Sequence, residues 1–166
     1  MRKVKVAAVQ MRCTRDVNAN IANAERLVRK AAGDGAQIIL LPELFERQYF
    51  CQERQYEYYE FAKPVEENDA VKHFAKVAEE LKVVLPISFY EKDGKRLFNT
   101  VAILDADGTN LGIYRKTHII GECEKTRNDF ELREIRGLRH LRPAMAPSAW
   151  VSAGTSGSRR PRDLWR

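Results

Sequence analysis

Cysteine is scarce in this chain of 166 residues: Cys13, Cys51 and Cys123 are the whole supply, and no two of them stand in a CxxC spacing. Three thiols cannot all pair within one chain, so neither a disulfide framework nor a zinc site is supported. Neither a metal nor any other cofactor is called for. No apolar run is long enough to suggest a membrane span. The first residues, Met1-Arg2-Lys3-Val4-Lys5, run straight into alternating Val4, Val6 and Ala8 and lack the apolar core of a signal peptide. These absences predict a cytoplasmic protein with no membrane partner. The length corresponds to one ordinary domain, or a large part of one, with enough chain to bury a core.

The formal charge of +6 invites a nucleic-acid reading, but its distribution speaks against one. Residues 1–119 carry 19 basic and 17 acidic side chains, whereas residues 120–166 carry 10 and 6. The basic residues also change type, from a mixture of Lys and Arg to nine Arg with a single Lys, Lys125. A shift of that size marks a boundary near residue 119.

Organisation centres on residues 36–45, AQIILLPELF. Four consecutive large apolar residues predict a strand buried on both faces, and Pro42 ends its hydrogen bonding. Glu43 then stands at the C-terminal mouth of that strand, where open α/β sheets bind ligands, and is a candidate base with a raised pKa. The alternative is a solvated Glu at the start of a loop. Before this stretch, residues 4–11 read as a strand. Asn18 or Asn20 is placed to cap a helix whose apolar face is Ile21, Ala24, Leu27, Val28 and Ala31. This β-α-β unit predicts a parallel pair.

Residues 46–63 are aromatic and charged, and read either as the lining of a pocket beside Glu43 or as a helix packing its rings on the core. A second helix starts at Asn68 or Asp69 with Val71, Phe74, Ala75, Ala78 and Leu81 on one face. Strands over 83–89, 98–104 and 111–114 follow, with turns at 92–95 and 105–108. The order is β-α-β-α-β-β-β, an α/β layered fold. Lys116 closes the last strand as Glu43 closes an earlier one, and a Lys near a carboxylate suits acyl transfer, where a carbonyl oxygen gains negative charge. Taken singly, a Lys after a strand is ordinarily a solvated charge.

The strings VAAVQM (6–11), IILLPELF (38–45), YFCQ (49–52), FNTVAILDADG (98–108) and GIYRKTHI (112–119) together resemble the nitrilase superfamily of carbon–nitrogen hydrolases. Within it, the pattern is most similar to amidases that cleave a carbamoyl group from a polyamine. The resemblance implies a four-layer α-β-β-α sandwich, of which this chain supplies the first part. It also implies a small carbamoyl or amide substrate, homo-oligomers in intact members, and Cys-Glu-Lys chemistry. Glu43 matches the family's base and Lys116 its lysine.

The family's nucleophile belongs in a segment like GVGICWDQWFPE, which the sequence lacks. Cys123 follows Lys116 by seven residues with no apolar strand before it, and its neighbours Glu122 and Glu124 would make it a poor nucleophile. The tail decodes instead as a reading frame displaced by one nucleotide. Read so, ICWDQWFPE becomes Ser152 to Arg160, and the single-codon residues Met145, Trp150 and Trp165 all fit. The lost nucleophile codon falls at Ala153. Residues 1–119 are thus expected to be the N-terminal part of a hydrolase domain, and residues 120–166 an out-of-frame, mostly disordered Arg-rich tail. Two other readings stand beside inactive amidase by descent: a non-catalytic subunit that docks on full-length homologues, and an RNA-binding arm in the tail.

Overall fold

The computed structural model describes residues 3–52 and 55–116. Cys123, Ala153 and the whole of the decoded tail lie outside the described residues.

The chain begins with strand β1 (Val6–Ala8) and helix α1 (Val17–Gly33). The N-cap of α1 is Asp16, whose carboxylate accepts from the Ala19 amide, and not Asn18 or Asn20. Asn20 is buried and engaged elsewhere: its Nδ2 donates to the carbonyls of Thr14 and Glu46. Strand β2 (Ile38–Leu40) follows and pairs in parallel with β1, Val6 opposite Ile38 and Ala8 opposite Leu40. Burial of β2 on both faces does not hold, because Leu40 is 43 % exposed, as is Val6 on the paired strand at 68 %. One face of this pair lies against the helices, and the other is open.

Helix α2 (Asp69–Leu81) is capped by Asn68, whose Oδ1 accepts from the Val71 amide at 2.9 Å. Its buried stripe is Ala70, Val71, Phe74, Val77 and Ala78, with Ala75 and Leu81 only partly covered. Strands β3 (Leu85–Asp93), β4 (Arg96–Leu104) and β5 (Asn110–Arg115) form an antiparallel meander. The β3–β4 hairpin runs further than sequence alone marks, because charged Glu91, Lys92 and Asp93 continue the ladder to a tight turn at Gly94. A parallel bridge between Ile38 and Val84, with the Ile39 amide donating to the Val84 carbonyl at 3.0 Å, joins β2 to the meander.

Alternation then sorts the side chains. Ile39, Leu85, Ile87, Phe89, Ala102 and Leu104 face the helices and share one core with Phe74 and Val28. Ile38, Val84 and Ile103 form a smaller cluster on the opposite face, with Val4, Val101 and Leu111 packed beside it. At the β4–β5 turn Gly108 has φ +83°, and a Cβ there would come within 2.9 Å of the Ala75 carbonyl oxygen. The turn presses on α2, and glycine is what fits.

Candidate active site

Pro42 releases the chain from β2 and the backbone folds sharply. Leu44 adopts φ +53°, rare for a branched side chain, and its amide donates to Ser88 Oγ at 3.1 Å. The side chains of Leu44 and Phe45 are buried, Phe45 edge-on to Phe74 with ring centroids 5.6 Å apart. Asn20 holds the Glu46 carbonyl and Asn68 donates to the Glu46 carboxylate. Burial pushes the Glu46 carboxyl above its usual range, opposed by the Asn68 bond. Glu43 therefore projects from a turn anchored on both sides.

The second half of the site comes from the meander. Lys116 follows β5, and its amide donates to the Asn99 carbonyl at 2.8 Å. Its Nζ donates to Glu43 Oε1 at 2.7 Å across 73 residues of sequence. Asn99 Nδ2 donates to the same oxygen at 2.6 Å. Lys116 is the better covered partner, its side chain 14 % exposed against 36 % for Glu43. The structure thus joins the two candidate residues. Sequence reasoning missed Asn99, although an amide side chain inside a strand is a signal, because Asn is depleted from strands.

The aromatic segment divides between its two readings. It forms short 3₁₀ turns (Phe50–Gln52, Tyr56–Phe61 and Val65–Glu67), not one long helix. Phe50 and Phe61 pack on Leu44 and Tyr90, while Tyr56 is 86 % exposed. A cavity of about 420 Å³ opens here, lined by Arg15, Arg47, Tyr49, Phe50, Tyr58 and Phe61. Burial pushes the Tyr49 phenol up to about 12, with the Cys51 and Glu43 charges adding to the shift. Burial also pushes the Cys51 thiol up; the Tyr49 hydrogen bond opposes this, the Glu43 charge adds to it and the Lys116 charge opposes it. These couplings put Tyr49 and Cys51 within electrostatic reach of the pair. Among the described residues no cluster of three or more His, Cys, Asp or Glu is placed to hold a metal, and no helix is long and apolar enough to cross a membrane.

A proton acceptor and a fixed cation within one hydrogen bond suit a reaction in which a proton is taken while an oxygen gains negative charge. The sequence profile described as carbon-nitrogen hydrolase matches residues 5–152. The chain belongs to that family, the nitrilase superfamily. N-carbamoylputrescine amidase from rice is 51 % identical over 117 residues, and its counterpart from Arabidopsis thaliana 48 % over 118. A citrullinase from Francisella tularensis is 41 % identical over 128 residues. These alignments take in 70 %, 71 % and 75 % of this chain but only 39 %, 40 % and 45 % of the relatives. The chain spans less than half the length of the curated relatives it matches.

Among solved structures, a carbon-nitrogen hydrolase from Helicobacter pylori superposes with TM-score 0.68 at 23 % identity, covering 81 % of this chain and 44 % of that one. A branch 10 member of the superfamily from Saccharomyces cerevisiae superposes with TM-score 0.60 at 27 % identity, covering 69 % of this chain and 44 % of that one. The fold is nitrilase-like.

Proposed function

We propose that the chain carries the base and the oxyanion cation of an N-carbamoylputrescine amidase, but not its nucleophile. The observation that carries this reading is the 2.7 Å contact between Glu43 and Lys116, made by residues from two separate strand ends. In the reaction a cysteine thiolate attacks the carbamoyl carbon after Glu43 takes the thiol proton. Lys116 and its positive charge face the oxygen that becomes negative; the intermediate then collapses, its C–N bond breaking as ammonia leaves with the proton held on Glu43, and water hydrolyses the thioester to a carbamate that breaks down to the amine and carbon dioxide. Putrescine, ammonia and carbon dioxide are the products. Support for the substrate comes from the identity to plant N-carbamoylputrescine amidases.

The Cys51 thiol is pushed above its ordinary range, which works against its standing in for the missing nucleophile. Cys123 has two acidic neighbours and no strand before it. Residues 1–119 on this reading are the hydrolase part and residues 120–166 an out-of-frame tail. The chain as written gives no turnover of N-carbamoylputrescine, measured as ammonia release. A version whose frame is corrected between His118 and Phe130, so that the nucleophile codon returns at position 153, hydrolyses it. Turnover by the chain as written sinks this account, and so does an inactive corrected chain that folds.

A further inference from the structure

Strand β5 has little to fix its register. Among the described residues it pairs with β4 alone, its ladder is interrupted between Ala102 and Leu104, and none of its residues is fully buried. Yet Arg115 and Lys116 are consecutive and must face opposite sides of the sheet. A slip of one residue would exchange them and carry the Lys116 amine away from Glu43.

The feature that distinguishes the two sides is Glu91, 2 % exposed and on β3, one strand further in. Its Oε2 accepts from Thr100 Oγ1 at 2.6 Å and from Arg115 Nε at 2.8 Å, and its Oε1 accepts from Arg115 Nη2. Arg115 also donates to Asp93 and lies over the Phe98 ring, 4.0 Å from its centroid. A flat guanidinium fits that fork, and an ammonium does not. We infer that Glu91 is a positioning residue: through Arg115 it locks the register of β5 and thereby sets the Lys116 amine on Glu43. The inference rests on the amidase reading for its purpose, but not for its geometry. A buried pair of this kind contributes little net stability and is best justified by a registry role.

Trace acylation of the full chain, with each lysine followed by mass spectrometry, tests this. Lys63, which pairs with Asp69 and is bonded through its backbone to β3, reports general loosening. Glu91→Leu keeps the volume and removes the fork; Glu91→Gln keeps the shape and removes the charge. In both, Lys116 is expected to react about fivefold faster while Lys63 stays at its original rate, a ratio typical of losing one modest interaction. An unchanged Lys116 rate in both variants overturns the inference, as does a rise shared equally with Lys63. Glu43→Gln separates the two claims. If Glu91→Leu frees Lys116 and Glu43→Gln does not, the lock stands and the catalytic pair falls; the reverse result keeps the pair and removes the lock.

Discussion

Arg115 and Lys116 are neighbours in sequence, and each ends on a carboxylate, but they do so on opposite faces of one sheet. Arg115 reaches Glu91 among the side chains that face the helices, where the carboxylate side chain is 3 % exposed. Lys116 reaches Glu43 on the open face, where the carboxylate is 36 % exposed. The first pair is bidentate, stacked on a ring and built on a buried carboxylate; the second is a single contact to a carboxylate within reach of solvent. A buried pair is costly to break because the survivor is stranded, whereas a solvated one is cheap to break and free to do chemistry.

The contrast fails most visibly if the buried side proves soft. Arg115→Ala leaves Glu91 with Thr100 as its remaining described partner and is expected to destabilise the fold by about 3–5 kcal/mol in urea unfolding. Lys116→Ala on the open face is expected to change stability by less than about 1 kcal/mol. In the frame-corrected chain the same substitution lowers kcat by about 10²–10³-fold, since an oxyanion partner is lost. Asn99→Ala, which removes one hydrogen bond to Glu43, is expected to cost about 1 kcal/mol by the same unfolding assay.

Acid titration sharpens the comparison at the smallest scale. The Arg29 hydrogen bond is the leading cause of the lowered Glu25 carboxyl, so that group's stabilisation is present above its unfolded pKa and is lost as pH falls through the folded value. Glu46 is pushed up by burial, so its penalty appears as pH rises from its unfolded pKa through the folded one. Melts from pH 7 down to pH 3 are expected to show Glu25→Gln losing stability at neutral pH, and Glu46→Gln gaining it. Each shift is within about 1 kcal/mol, and the two variants approach the parent at the acid end.

Much of this could be read before the structure. The helix period of residues 69–81, the turns at Gly94 and Gly108, and two ionisable residues at strand ends are all local signals. What sequence could not supply was pairing across distance. Nothing near Glu43 indicates that Asn99 donates to it, since 56 residues separate them. Asp16 took the cap expected of Asn18 or Asn20 because Asn20 was needed at the Glu46 carbonyl, a tertiary demand that overrides local preference. Leu40 reads as buried from its apolar neighbours, but a run of apolar residues does not say how many layers will cover it. The positive φ of Leu44 left no trace at all in residue type.

The seam between Ile38 and Val84 also bears on how the chain is assembled during synthesis. β1 and β2 leave the ribosome ahead of the meander, as two strands of three residues each. A parallel pair that short does not hold itself together in water. The meander behind it is built from adjacent hairpins, whose loops close quickly. The later segment is therefore the template, and the earlier one waits, with Ile38 uncovered, until Val84 arrives. A pause in translation before residue 84 would lengthen the interval in which nascent chains can associate with one another.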